Sequence, residues 1–536
     1  MTHDNLPRAT RTALVRSLTA LGALSLTGVV VAAGVVAPPT APVDTPLPTV
    51  EVPAGGSSVV CAGPVRLSTA PEEGDDVSYD PQFDPSPGES VPTVTALVVE
   101  PSDAPTTGSR GRPAGALRAL GDLDGTTGLD LTAPTGGAAV GELPDLEQGL
   151  LLTAEPLGEQ DAVPPWVAGT VTVTTLEGDL RGLVAAACQP SATETWLVGG
   201  GTDLGTSARL VLQNPGRTPA TVRLTLWGPS GPVEVAGAPE FLVPPGAERV
   251  VLLEGVAAEQ RRIVVRLQSS GGLVAAYLQD SQLRGLVPAG TDYVVAGRPP
   301  AQQQVVPGIV VPGSEPDGAD VAVLRLLAPG TTGGTARVRL LGPDGEVELP
   351  GAQEVELEPG VVLDLPLGGL PAGAYTAVVD SEQAVVAGAL ITRGLGVGGQ
   401  APAPSAQRPV ERAWPASVEP GVSGPLALPV GPRASLTIGV VGGTGPAQVT
   451  VQVVGTDGRL GEPVRRSIAA DSTLALPVSA VVEDGETAAG VLVVSSDPRV
   501  VWAAVLEVQD DEGDMVGVLV PVRPRTADGQ VGVRLR

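Results

Sequence analysis

Polar and apolar side chains alternate along short stretches of this chain, and each stretch ends at a turn. In residues 220–226, Val222, Leu224 and Leu226 fall on one side, and Thr221, Arg223 and Thr225 on the other. Val338 and Leu340 repeat the pattern, as do Val449, Val451 and Val453. A period of two marks half-buried strands. The stretches end at Gly228-Pro-Ser-Gly231, Gly342-Pro-Asp-Gly345 and Gly455-Thr-Asp-Gly458, which supply the backbone conformations tight hairpins need.

The phrase recurs about 113 residues apart, with its central strand opening at Ala220, Ala336 and Ala447. Each copy closes on a run of small and apolar residues: Val274-Ala-Ala-Tyr-Leu278, Val386-Ala-Gly-Ala-Leu390 and Trp502-Ala-Ala-Val-Leu506. A unit of this length can bury its own core, so the repeat predicts a domain array. Six or seven strands in each unit, with a turn signal every 8 to 12 residues, predict an all-β fold of antiparallel β-sandwiches. A propeller is the alternative, but its blade of about 40–50 residues does not match the period.

The expected modules span residues 196–298, 304–393 and 425–525, with a Pro- and Gly-rich linker at 394–421. Residues 61–190 read as a diverged first copy with insertions. Their ending, Gly182-Leu-Val-Ala-Ala-Ala-Cys188, aligns with Gly272-Leu-Val-Ala-Ala-Tyr-Leu278.

Ahead of the modules, Arg8, Arg11 and Arg16 precede residues 17–37, which carry no charge. That stretch is long enough to cross a bilayer as a helix, and the arginines place residues 1–16 in the cytoplasm. A single-pass signal-anchor is expected, followed by an extended stalk at 38–60 and an extracytoplasmic remainder. A signal peptide cut near Ala33 or Ala37 is the alternative. Cys61 and Cys188 are the two cysteines, both beyond this segment, where disulfides persist. The module alignment puts them on the first and last strands of one sandwich, so one bridge is expected, and two free thiols are the alternative. On this view reduction loosens residues 61–190 and leaves the later modules folded.

The sequence from Trp196-Leu-Val-Gly-Gly-Gly-Thr202 through Arg209-Leu-Val-Leu-Gln-Asn-Pro-Gly216 to Pro219-Ala-Thr-Val222 resembles a family of actinobacterial secreted proteins of unknown function. The resemblance implies one N-terminal membrane segment and a β-rich exterior. The same phrase resembles immunoglobulin-like repeats of bacterial surface proteins. The resemblance supplies no catalytic residues.

Composition narrows the chemistry. Asp and Glu number 59 against 32 basic residues, all of them Arg, for a net charge of −27, which repels nucleic acid. The single histidine is His3, on the cytoplasmic side, so outside the membrane the chain has neither His nor Lys. Ser-His-Asp and Cys-His nucleophiles, Schiff bases and ordinary zinc sites therefore lack their residues. Carboxylate chemistry survives, with Glu234, Glu346 and Glu348 as candidates on strands, but solvated outward faces of an acidic sandwich are the preferred reading of them. Two acidic turns, Asp122-Leu-Asp124-Gly125 with Asp130 and Asp510-Asp511-Glu512-Gly513-Asp514, are candidates for calcium but lack full EF-hand spacing. Trp166, Trp196, Trp227, Trp414 and Trp502 are expected in core or inter-module packing rather than on ligand platforms.

The sequence thus predicts no catalytic residue, cofactor or metal. It points to a non-enzymatic, membrane-anchored structural or interaction protein of the cell envelope, with envelope proteins or glycans as partners. A carbohydrate-binding or glycan-active protein is the alternative.

Overall fold

The computed structural model describes residues 49–51, 55–67, 86–100, 114–122, 128–134, 137–156, 164–314, 320–347, 349, 353–393, 409–482, 486–523 and 530–532. The expected cytoplasmic stretch, the membrane segment 17–37, most of the stalk and residues 394–408 lie outside them. Among the described residues no helix is long and apolar enough to cross a membrane. Residues Pro53–Asp528 form one compact unit; in a separate unit, Thr49–Glu51 pairs antiparallel with Gln530–Gly532.

The compact unit contains four sandwiches built on one plan of eight strands. In the second module the strands are Glu194–Val198, Thr206–Asn214, Ala220–Gly228, Glu240–Val243, Ala247–Leu252, Val264–Ser270, Ala275–Arg284 and Val287–Val294, and a short extra strand, Gly231–Val233, extends the third. Strands one, six, three and four form one sheet, and five, two, seven and eight form the other, all antiparallel. The first module, Ser57–Cys61 to Gly182–Ala187, and the fourth, Gly424–Ala427 to Met515–Leu519, repeat this order. The third fuses strands six and seven into Gly373–Arg393, which passes from one sheet to the other. This order is not that of an immunoglobulin domain, in which strands one, two, five and four share a sheet. Here the first strand pairs with the sixth, and the second with the seventh.

Within each module the alternation does what the sequence predicts. Leu210, Leu212, Val222, Leu224, Leu226, Leu267 and Leu278 turn inward between the two sheets of the second module. Each such side chain contributes about 1.5–3 kcal/mol by leaving water.

The modules are not independent beads. Their eighth strands, Gly182–Ala187, Val287–Val294, Glu411–Ala413 and Met515–Leu519, meet in the middle, each touching the next and the last touching the first. Around them the first strand of one module lies against the second and seventh strands of the next, cyclically. Val60 packs on Ala275, Trp196 and Val198 on Leu327 and Val386, Val305 and Ile309 on the Val501–Ala503 face, and Ala427 on Leu97 and Ala168. The fourth junction closes the ring. This burial explains runs such as Val500–Val508, whose first seven residues are buried without alternation, because both faces of the strand are covered.

Three expectations change. Residues 57–60, placed at the end of the stalk, belong to the first strand of the first module, where Ser57–Cys61 pairs with Leu150–Ala154. Residues 411–418, placed in the linker, are buried, and Glu411–Ala413 is the eighth strand of the third module. Proline and glycine around it read as linker, but the strand is short and fully enclosed. In the first module Gly182–Ala187 is the eighth strand, whereas Val274–Leu278 lies mostly in the seventh strand of the second. The true counterpart in the first module is Trp166–Thr175.

Candidate functional site: a buried polar hub and an adjoining cleft

The eighth strands of the second and third modules carry charged residues into an otherwise apolar ring centre. Glu411 is fully buried, and its Oε1 accepts the amide of Leu183 in the first module at 3.0 Å. Burial pushes its carboxyl well above the ordinary range, against the Leu183 hydrogen bond; the nearby Asp292 pushes the same way, and Arg181 opposes it. Asp292, in the second module, accepts the Trp414 amide on Oδ2 at 2.7 Å, with the backbone of Tyr293 and Ala185 close by, while its buried Oδ1 has no hydrogen-bond partner among the described residues. Burial nonetheless raises its carboxyl to about 8. Each of these acids therefore joins two or more modules through backbone amides.

Trp414 sits between two guanidinium groups, Arg325 at 4.9 Å and Arg412 at 5.5 Å. Its Nε1 donates to Asp280 Oδ2 at 2.9 Å, which also faces Arg412 at 3.4 Å. Arg325 grips Asp364 with two hydrogen bonds and reaches across to the carbonyls of Gly200 and Ile263, tying the third module to the second. Arg181 closes the ring by donating to Asp510 Oδ2 at 2.6 Å and to the Gly513 carbonyl at 3.0 Å. Thr170 donates to Ala427, and Thr473 to Leu341, at the neighbouring junctions.

Cys61 and Cys188 form a disulfide with Cα atoms 4.1 Å apart. It ties the first strand to the residue just after the eighth, beside an antiparallel bridge between Val60 and Gln189. Gly169 faces it; a Cβ there would stand 2.6 Å from Cys188 Sγ. Tyr293 Oη donates to the Gly63 carbonyl and Tyr277 Oη accepts the Gly63 amide, so the second module clamps the chain two residues beyond Cys61.

The remaining candidates scatter. Glu234 and Glu346 are exposed, on the second and third modules, and Glu346 lies near Arg337 and Arg339. Glu348 and Asp124 lie outside the described residues. Asp122 is exposed, and Asp130 pairs with Arg118 on a neighbouring strand. In the other acidic turn Asp510 is committed to Arg181. Among the described residues no group of three or more His, Cys, Asp or Glu is arranged to hold a metal ion. Trp414 and Trp502 are buried in the hub and the fourth core, while Trp196 and Trp227 stack at 5.3 Å under a cleft between the second and third modules.

The hub residues were missed because they carry no motif, only one or two charges within a strand. The signal was there: a charge amid strand residues, as at Asp292 beside Tyr293-Val-Val295, or Glu411-Arg412 before Ala413-Trp414, has to find a buried partner. Comparison with curated proteins returns no match. A family model matches residues 140–479, more than half the chain, from the fifth strand of the first module into the fourth. The chain belongs to a family of unknown function, DUF5719.

Proposed function

We propose that this protein is a membrane-anchored, extracytoplasmic structural or interaction protein of the cell envelope, without catalytic activity. The observation that carries the reading is the buried Cys61–Cys188 disulfide, which belongs in an oxidising compartment. The charge-free stretch 17–37 behind three arginines supplies the route there and the anchor. The non-catalytic part rests on where the acids are. Asp292 and Glu411 are enclosed, each with one oxygen held by a backbone amide, and the cleft is lined by one carboxylate, Glu194. Glycoside hydrolysis needs two, about 5–9.5 Å apart across the bond.

The test is to express the full chain, wash membranes with carbonate and treat intact cells with protease. Retention in the membrane, release of the β body from outside and the absence of free thiols are expected. A carbonate-soluble, protease-protected protein with two reduced thiols overturns the proposal.

A further inference from the structure

The cleft at the junction of the second and third modules departs from the pattern of the ring. The first strands of the other three modules bring Ser57-Ser-Val-Val-Cys61, Gln302-Gln-Gln-Val-Val306 and Gly424-Pro-Leu-Ala427 to their neighbours. The second brings Glu194-Thr-Trp-Leu-Val198, placing two of the five tryptophans of an aromatic-poor chain in one stack. The cleft is about 320 Å³, at the lower end of the range that takes small ligands.

Its polar groups are fixed relative to one another. Glu194 Oε1 accepts both Trp196 Nε1 at 3.0 Å and Arg266 Nε at 2.8 Å, and the guanidinium lies 5.4 Å from the Trp196 ring centre. Across the gap Thr332 donates to Gln383 Oε1 at 3.2 Å. These bonds leave the outer nitrogens of Arg266 and Gln383 Nε2 as donors, and Glu194 Oε2 and the Thr332 oxygen as acceptors. Pro300 and Pro329 supply apolar walls. The Glu–Arg pair is neutral as a unit, so an anion meets Glu194 and a cation meets Arg266. Adjacent hydroxyls on an uncharged ring suit such alternating donors and acceptors, with the ring's C–H face against the prolines.

We propose that this cleft binds a neutral saccharide of one or two sugar units. Trp196 and Trp227 line the floor of the cleft with little of either residue exposed, so they back Arg266 and report binding. The proposal is independent of membrane anchoring.

The test is a tryptophan-fluorescence titration of the full chain in a non-glycosidic detergent, with cellobiose, mannobiose, galactobiose and diacetylchitobiose as probes. A saturable change with at least one is expected, with half-saturation raised about tenfold or more in Arg266→Met and in the rim variant Thr332→Val/Gln383→Leu. The rim residues lie outside the cores, so that variant keeps its fold, which its melting curve checks. No saturable change with any of the four, a change the rim variant does not weaken, or a response confined to glucuronate or to a proline-rich peptide overturns the proposal.

Discussion

Arg181 and Asp510 are 329 residues apart in sequence and 2.6 Å apart in space, and their contact joins the first module to the fourth. The pair is asymmetric: the Arg181 side chain is 2% exposed and that of Asp510 is 20% exposed. Burial is the largest single influence on the Asp510 carboxyl and works against its charge, but the hydrogen bond and charge of Arg181 together with the backbone amides of Glu512 and Asp511 outweigh it and hold the carboxyl below its ordinary range.

The asymmetry sets the first prediction. Asp510→Ala strands a buried guanidinium and is expected to cost about 3–5 kcal/mol, whereas Arg181→Met leaves a carboxylate that water can reach and costs less. Urea unfolding of both variants checks the order. Equal costs would mean that the junction does not bury Arg181.

The closed ring changes what the disulfide is expected to do. In an array of independent beads, reduction loosens residues 61–190 alone. Here Gly63 is clamped by Tyr277 and Tyr293, and the eighth strand of the first module touches those of the second and fourth. Cys61→Ala/Cys188→Ala is therefore expected to lower the stability of the whole body by about 2–5 kcal/mol and to unfold it in one transition. Two resolved steps in calorimetry, with only residues 61–190 lost in the first, would restore the bead picture.

Much of this was legible. Alternation and turn glycines located strands such as Ala220–Gly228, Gly334–Gly342 and Ala447–Gly455, and the pair of cysteines gave the bridge. The repeat showed three modules, while the first aligns by sequence on its eighth strand instead of its seventh. Closure was harder to read, because strands covered on both faces lose the period of two that reveals them. The small-residue phrases mark those strands but hide their phase. Ala276 and Ala504 turn into their own modules, whereas Gly388, the matching residue by sequence, meets Val198 of the neighbour. A one-residue slip of this kind exchanges the two faces of a strand and leaves the composition unchanged. The hub's charges were visible within their strands, but their pairings were not, because the partners lie one or more modules apart, beyond any local pattern.

The hub predicts a pH dependence whose sign follows from the raised carboxyls. Asp292 holds its proton to about pH 8 when folded and loses it near pH 4 when unfolded. Between these values the folded state binds more protons, so its contribution is fully present below about pH 4 and is lost as pH rises through about 8. The slope is on the order of 1 kcal/mol per pH unit for each such group, and Glu411 adds in the same direction. Asp280, Arg181 and Arg412 also face the hub. Asp292→Asn, which imitates the protonated acid, is expected to flatten the fall in melting temperature between pH 5 and 8. An unchanged profile would show that Asp292 ionises freely in the folded protein.

The junction beneath the cleft can be tested through a single glycine. A Cβ on Gly388 would lie 2.7 Å from the Val198 carbonyl oxygen, and backbone at that distance has to move. Gly388→Ala is therefore expected to cost about 1–3 kcal/mol by overpacking. Gly424, at the start of the fourth module, has nothing within 4 Å of the same position, so Gly424→Ala serves as a near-neutral control. Val198 shares a strand with Glu194 and Trp196, so the shift at residue 388 should also reach the Trp196–Trp227 stack. Urea midpoints measure the first effect and tryptophan emission the second. A neutral Gly388→Ala with unchanged emission would mean that the second and third modules do not approach this closely, and the ring would lose one of its four junctions.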